Sequence, residues 1–323
     1  MTDTHQTEEA AAGGPSTLQQ PQGVLPLDDW GVIRAAGEEA AKFLHGQLTQ
    51  DLLAQGLHEG RLAGYCSAKG RLLALLLAFK NSPDELLLAL PAELLPATQK
   101  RLSMFVLRAK CKLGDAGSDW QVWGLAGTAA RDWLGAQAPG AVWGVTRMPL
   151  NESGEALVCR LPDDGHGPRY LALAPRAAAL PALPALTPEQ WQQLEVRSGL
   201  AWVRSATVEQ FVPQMLNLEL LGGVNFQKGC YPGQEIVARS QYRGSVKRRT
   251  HRFALQGQAQ VGQELFHSAD PEQPAGLVAA AAPGELLAEV KLAALQDGSL
   301  HLGAADGPLL QHRPLPYVVG EPQ

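Results

Sequence analysis

The alternation of apolar and polar residues along the chain predicts a mixture of short strands and helices. Trp30–Ala35 reads as a strand. Ala41, Leu44, Leu48 and Leu52 then recur at helical spacing, which predicts an amphipathic helix over Glu38–Leu53. Arg61–Ser67 and Arg71–Phe79 form the two arms of a hairpin, and Gly70 supplies permissive backbone in its turn Ala68-Lys69-Gly70. Glu85–Leu90 is a further strand. Glu93–Leu107 is a helix that tolerates Pro96 only because it stands near the start. Between Cys111 and Ala174 the pattern shortens to strands at Gln121–Leu125, Val142–Arg147, Ala156–Arg160 and Arg169–Ala174, with one helix at Thr128–Leu134. Pro175, Pro181, Pro184 and Pro188 then deny both a helix interior and a central strand. A helix over Glu189–Ser198 follows, with Pro188 in its first turn. Beyond Ser240 the strands Lys247–Leu255, Gly276–Ala282, Glu285–Leu292 and Ser299–Leu302 alternate with Gly, Pro and Asp turns, the pattern of a small barrel.

This pattern divides the chain into a polar, disordered tail (1–24), an N-terminal α+β region (25–110), a second α+β region (111–174) and a Pro-rich linker (175–187). A helix and a Cys-containing loop (188–240) and a C-terminal β-barrel (241–323) complete it. Strands and helices that mix without strict alternation give an α+β class, not a doubly wound sheet. No fixed repeat is visible.

Composition narrows the function classes. A net charge of −5 over 323 residues gives no global attraction to nucleic acid or to an anionic membrane. The N-terminus lacks the basic start and apolar stretch of a secretory signal, and the longest apolar run, Leu72–Phe79, is too short to span a bilayer. A soluble cytoplasmic protein is expected. The four cysteines, Cys66, Cys111, Cys159 and Cys230, are far apart, with no metal-ligand spacing, so thiols are expected. No Walker lysine loop, dinucleotide fingerprint, zinc-protease helix or GxSxG elbow is present.

One loop concentrates chemistry. In Lys228-Gly229-Cys230-Tyr231-Pro232-Gly233-Gln234-Glu235, two glycines and a proline bracket a cysteine. Gln234–Arg239 reads as a short helix, so Cys230 stands near a helix start and two residues from Lys228. Both features favour the thiolate. The plain alternative for any of the four cysteines is a small buried hydrophobe. A basic stretch follows, Arg239, Arg243, Lys247, Arg248, Arg249 and Arg252. It is either a charged strand edge or a seat for an anion such as phosphate, RNA backbone or a carboxylate tail. Trp30 and Trp191 each open a predicted element beside polar neighbours; they are core residues or flat walls for a ring-shaped ligand.

At this loop the sequence resembles the YgfZ proteins. The likeness rests on Lys228–Glu235 running on to Ile236-Val237-Ala238-Arg239, on Phe211–Leu218, on Gln241-Tyr242-Arg243-Gly244, on Phe43–Thr49 and on Lys69-Gly70-Arg71, and it covers roughly residues 25–320. The resemblance implies a three-domain fold related to the aminomethyltransferase of the glycine cleavage system (GcvT-like), with a C-terminal β-barrel. It implies tetrahydrofolate or another reduced folate as ligand, held by Trp30, Trp191, Tyr231, Gln234, Glu235 and Arg243. It implies Cys230 as the functional thiol with Lys228 beside it, and no metal. It implies a role in assembly or maintenance of iron–sulfur enzymes, including those that thiolate tRNA, without direct binding of nucleic acid. Two departures stand out. The aminomethyltransferases carry an aspartate on the strand after the glycine hairpin, where this chain has Arg71-Leu72-Leu73-Ala74-Leu75, so acid–base work there is lost. A pterin-contacting glutamate of the relatives is met by Arg197 or the nearby Glu195. The rival readings are a folate-dependent one-carbon transferase, an RNA-binding module built on the basic stretch, and a cysteine hydrolase using His251 or His267.

Overall fold

The computed structural model describes residues 20–242 and 246–320. Most of the predicted tail, together with Arg243, lies outside the described residues. In chain order the first elements are β1 (Gly23–Pro26), β2 (Trp30–Ala36), α1 (Ala40–His45), β3 (Gly60–Cys66), β4 (Leu72–Ser82), β5 (Glu85–Pro91), α2 (Leu95–Met104) and β6 (Lys112–Asp115). They are followed by β7 (Trp120–Ala126), α3 (Gly127–Leu134), β8 (Val145–Pro149), β9 (Glu155–Leu161), β10 (Arg169–Pro175), α4 (Pro188–Ser198) and α5 (Gln234–Tyr242). The last strands are β11 (Arg248–Ala254), β12 (Glu264–His267), β13 (Asp270–Ala282), β14 (Glu285–Lys291), β15 (Leu300–Leu302) and β16 (Leu309–Arg313).

Two five-stranded antiparallel sheets and a closed barrel result. The first sheet has the order β3-β4-β5-β2-β6, the second β1-β7-β10-β9-β8, and the barrel closes as β11-β14-β13-β12-β15-β16. The near-unbroken apolar run of β4 fits its central place: Leu72 and Ala74–Phe79 are buried on both faces. The chain crosses between the sheets twice. β1 pairs with β7 in the second sheet, and β6 returns to pair with β2 in the first. The proline stretch 175–187 is irregular yet tied down: Val24 N–H donates to Pro184 O and Leu186 N–H to Val24 O, each at 2.9 Å. Thr187 caps α4 in a reciprocal capping box with Gln190. Phe253, Leu265, Val278, Leu286 and Val290 fill the barrel.

Two predicted helices are shorter than their periodicity. The helix expected over Glu38–Leu53 stops at His45. Leu48 leaves it to bridge Tyr65 of β3, while Thr49 accepts the Gly64 N–H at 2.7 Å and donates to Gly223 O at 2.6 Å. Leu48 and Leu52 are buried all the same. Their helical spacing was satisfied by a bridged loop, which offers Thr49 backbone partners that a helix would not. The helix expected over Glu93–Leu107 ends at Met104, and Leu107 takes a φ of 43°.

Candidate functional site

The cysteine loop is seated by two interlocked glycines. A methyl group on Gly233 (φ 80°) would lie 2.4 Å from Ser67 O and 2.6 Å from Gly70 Cα. One on Gly70 (φ 69°) would lie 2.9 Å from Ile236 Cβ. No side chain fits at either contact, so the β3–β4 hairpin turn and the start of α5 approach backbone to backbone. Gln214 holds α5 from the other side, donating to Val237 O at 2.7 Å.

Lys228 points inward. It is 9% exposed, and its Nζ donates to the carbonyls of His45 and Leu48, at 3.0 Å for the latter. Those oxygens lie at and just beyond the C-terminus of α1, where a cation is favoured. The ammonium also stands 4.8 Å from the centroid of the Tyr231 ring. Burial lowers Lys228 to about 8, while Asp51 and Cys230 oppose that fall. Tyr231 is buried, and burial pushes its phenol up. Cys230, four residues ahead of α5, is exposed, whereas Cys66 and Cys159 are buried and Cys111 is half-buried. Burial raises all three of those thiols, Cys66 to about 12. Gln234 opens α5 half-buried, and the exposed Glu235 pairs with Arg239 at 2.9 Å.

Four arginines of the basic stretch are paired. Arg239 pairs with Glu235, Arg248 with Glu289, Arg249 with Glu219 and Arg252 with Glu285. Three of these carboxylates are distant in sequence, so the lack of nearby acids concealed them. These pairings favour the charged strand edge at Arg248, Arg249 and Arg252, which tie the barrel strands together, to α4 through the Glu285 shared with Arg197, and to the turn at Glu219. Among the described residues, no group of three His, Cys, Asp or Glu side chains could hold a metal ion. No described helix is long and apolar enough to cross a membrane.

No protein-family model matches the chain. The tRNA-modifying protein YgfZ of Klebsiella pneumoniae is 30% identical over 318 residues, which cover 94% of this chain and 95% of that protein. The same-named protein of Edwardsiella ictaluri is 33% identical over 251 residues, covering 74% and 72%. The chain belongs to the family of YgfZ tRNA-modifying proteins. Its fold is that of the glycine cleavage system aminomethyltransferase T from Bartonella henselae, with a TM-score of 0.70 at 15% identity over 93% of this chain and 87% of that one. The GcvT-like α+β architecture with a terminal barrel, expected from the sequence, is therefore observed.

Within this YgfZ-family framework, the tryptophans and the cysteine occupy different settings. Trp30 is 7% and Trp191 3% exposed. Trp30 meets Trp202 edge-on at 4.7 Å between centroids. Trp191 lies between Gly124, where a methyl group would come within 2.9 Å of its ring, and Arg169, whose Cζ is 5.0 Å from its centroid. Glu195, one turn along α4, is buried with them, whereas Arg197 faces the barrel and pairs with Glu285 at 2.6 Å. Burial pushes Glu195 up and Arg169 pulls it back; burial lowers Arg169 to about 10. Among the described residues, both Arg169 Nη atoms, Glu195 Oε1 and the indole nitrogens of Trp191 and Trp202 have no hydrogen-bond partner.

Two cavities adjoin the first sheet. One of about 320 Å³ is mostly apolar and is lined by Tyr65, Leu73, Leu94, Thr98, Arg101 and Met104 among others. Trp30 is not among its lining residues. The other, about 740 Å³, lies between Gln50 and Arg61 of the first region, Trp143 of the second, and Phe226 and Tyr242. Nothing in the sequence marks these linings, because they join residues far apart in the chain.

Proposed function

We propose that this protein is a cytoplasmic tetrahydrofolate-binding accessory factor for the assembly or maintenance of iron–sulfur enzymes, including tRNA-thiolating ones, with Cys230 as its working thiol. The observation that carries the reading is the loop itself. Lys228, buried and bonded to two carbonyls, fixes a turn that leaves Cys230 as the one exposed cysteine. Membership of the YgfZ family supports the link to tRNA modification. The cavity of about 320 Å³ fits part of a reduced folate, offering apolar walls, the Tyr65 ring and the Arg101 cation for a carboxylate tail. Its lining, Leu73 included, supplies no carboxylate to relay a proton for one-carbon transfer. Binding without turnover is thus favoured over a transferase, and iron–sulfur client enzymes are the partners.

A second seat for the pterin is favoured by the orphaned Glu195, Arg169 and Trp191 atoms, which a donor- and acceptor-rich ring would satisfy. Titration with tetrahydrofolate, followed by tryptophan fluorescence, separates the two. The expected result is saturable binding with a fluorescence change. Affinity should fall at least about tenfold, roughly 1.4 kcal/mol, in Leu73→Trp and stay unchanged in Glu195→Gln. The reverse pattern would move the ring to Trp191, and no binding at all would end the folate reading. Cys230→Ser should bind folate normally yet fail to restore client-enzyme activity in cells, since a serine hydroxyl does not ionise near neutrality without a dedicated base. Full restoration would make Cys230 structural.

A further inference from the structure

His45 ends α1 and lies against the cysteine loop. Its Nδ1 is 3.0 Å from Asp51 Oδ1, and both side chains are largely shielded, at 16% and 24% exposure. The same carboxylate oxygen accepts the backbone N–H groups of Leu53 at 3.0 Å and Ala54 at 3.1 Å. Burial opposes the ionised form of Asp51, but these donors and His45 outweigh it, and the carboxyl lies below its usual range. An ionised acceptor at Nδ1 selects the tautomer with the proton on that nitrogen. Nε2 is left with a lone pair. That nitrogen faces the loop: a methyl group on Gly229 would stand 3.5 Å from Nε2. Gly229 is the residue between Lys228 and Cys230, and Lys228 in turn donates to the His45 carbonyl. The lysine therefore locks the histidine backbone to the loop that carries the thiol, while the aspartate orients the ring.

We propose that His45 is the general base for the Cys230 thiol and that Asp51 is its positioning residue. The proposal rests on the reading of Cys230 as the working thiol. In the step, the S–H bond breaks, its electron pair stays on Sγ, and the proton forms a bond to His45 Nε2. The Asp51 carboxylate stabilises the imidazolium that results. The thiolate then attacks a soft electrophile, with the leaving group departing as an anion. This is the nucleophile, base and orienter arrangement of a thiol-activating site. Gly229 suits it because a larger side chain there would crowd Nε2. Asp51, from the segment after its own helix, meets the His45 ring at Nδ1; on the loop side Lys228 bonds the His45 carbonyl, and Cys230 follows Gly229, the residue beside Nε2. The Lys228 ammonium disfavours a second cation nearby, and the Asp51 carboxylate, which acts on both groups, offsets it.

Iodoacetamide alkylation of Cys230 in the full chain, read by peptide mass spectrometry from pH 6 to 10, tests this without any ligand or client. The new S–C bond displaces iodide, so the rate reports thiolate supply. The expected result is a rate at pH 7 about tenfold lower in His45→Gln than in the parent, converging above about pH 9.5, where hydroxide replaces the base. Asp51→Asn can still accept the Leu53 and Ala54 N–H groups, so it keeps the local turn, and it should lose a smaller factor over the same pH range. Circular dichroism establishes that each variant is folded. Superimposed pH–rate profiles for the parent and either folded variant would overturn the assignment. Failure here leaves the Cys230→Ser rescue experiment untouched, and rescue by Cys230→Ser would remove the thiol's role whatever the alkylation profile shows.

Discussion

At Gly233 one hydrogen in place of a methyl group decides whether the loop can dock. Its φ of 80° disfavours any L side chain, and its neighbour is backbone, which cannot rotate away. Gly233→Ala should cost about 1–3 kcal/mol and lift the loop from the hairpin turn. Urea denaturation measures the loss, and unchanged stability would show that the two turns are not pressed together. The sequence marks this site well: the Gly–Cys–Pro–Gly run and the Gly70 turn are both conspicuous. It is silent on where Lys228 points. Two residues from a cysteine, a lysine reads as a cation supplied to the thiol. The fold bonds Nζ to the carbonyls of His45 and Leu48, because α1 ends early and leaves those oxygens open, while the ammonium still feels Cys230. His45 was missed for the same reason. Its partners Asp51 and Gly229 come together only when α1 stops and the loop at 228 folds over it.

At the scale of elements, periodicity found most strands and misjudged helix ends. β4 and β5 are long apolar runs and were legible. β1, β6, β12 and β16 were not, since each has at most five residues and is recruited by a neighbour more than by its own pattern. Ion pairs between elements were invisible as well. Arg249 of β11 reaches Glu219 at 2.5 Å and Asn217 Oδ1 and Gln214 O at 3.2 Å each, joining the barrel to the turn that supports α5. Both side chains of the pair are largely buried; burial pushes Glu219 up and Arg249 pulls it back. Glu219→Ala should therefore destabilise the protein by about 3–5 kcal/mol, because it strands a shielded guanidinium. Pairing it with Arg249→Met should recover much of the loss. A double-mutant cycle in urea checks this, and additive losses would show that the pair is not coupled.

Across the whole molecule, the barrel's hydrogen-ion linkage sets an acid limit. His251 of β11 lies 3.1 Å from His312 of β16, Nδ1 to Nε2, across the paired strands that help close the barrel. Burial first, then His312 and Arg249, lower His251 to about 4. Unfolded imidazole titrates near 6.5, so between these values the unfolded chain binds more protons than the native one. The stability that neutral His251 allows is fully present above about pH 6.5 and is lost as pH falls through about 4. The urea midpoint should drop over that window, and His251→Asn should flatten the drop; an equally steep fall in the variant would assign the acid limit to other groups.

The order of elements, the α+β class, the terminal barrel and the cysteine loop follow from local information: apolar spacing, turn residues and a contiguous motif. Each is encoded within a few residues, so one sequence suffices to read it. The crossing of β1 and β6 between sheets, the pairing of the basic stretch, the choice of Glu195 over Arg197 beside Trp191, and the meeting of His45 with the Cys230 loop depend on contacts between distant residues. Those contacts form only when burial forces polar groups to find partners, and the chain's local pattern does not say which partners they find.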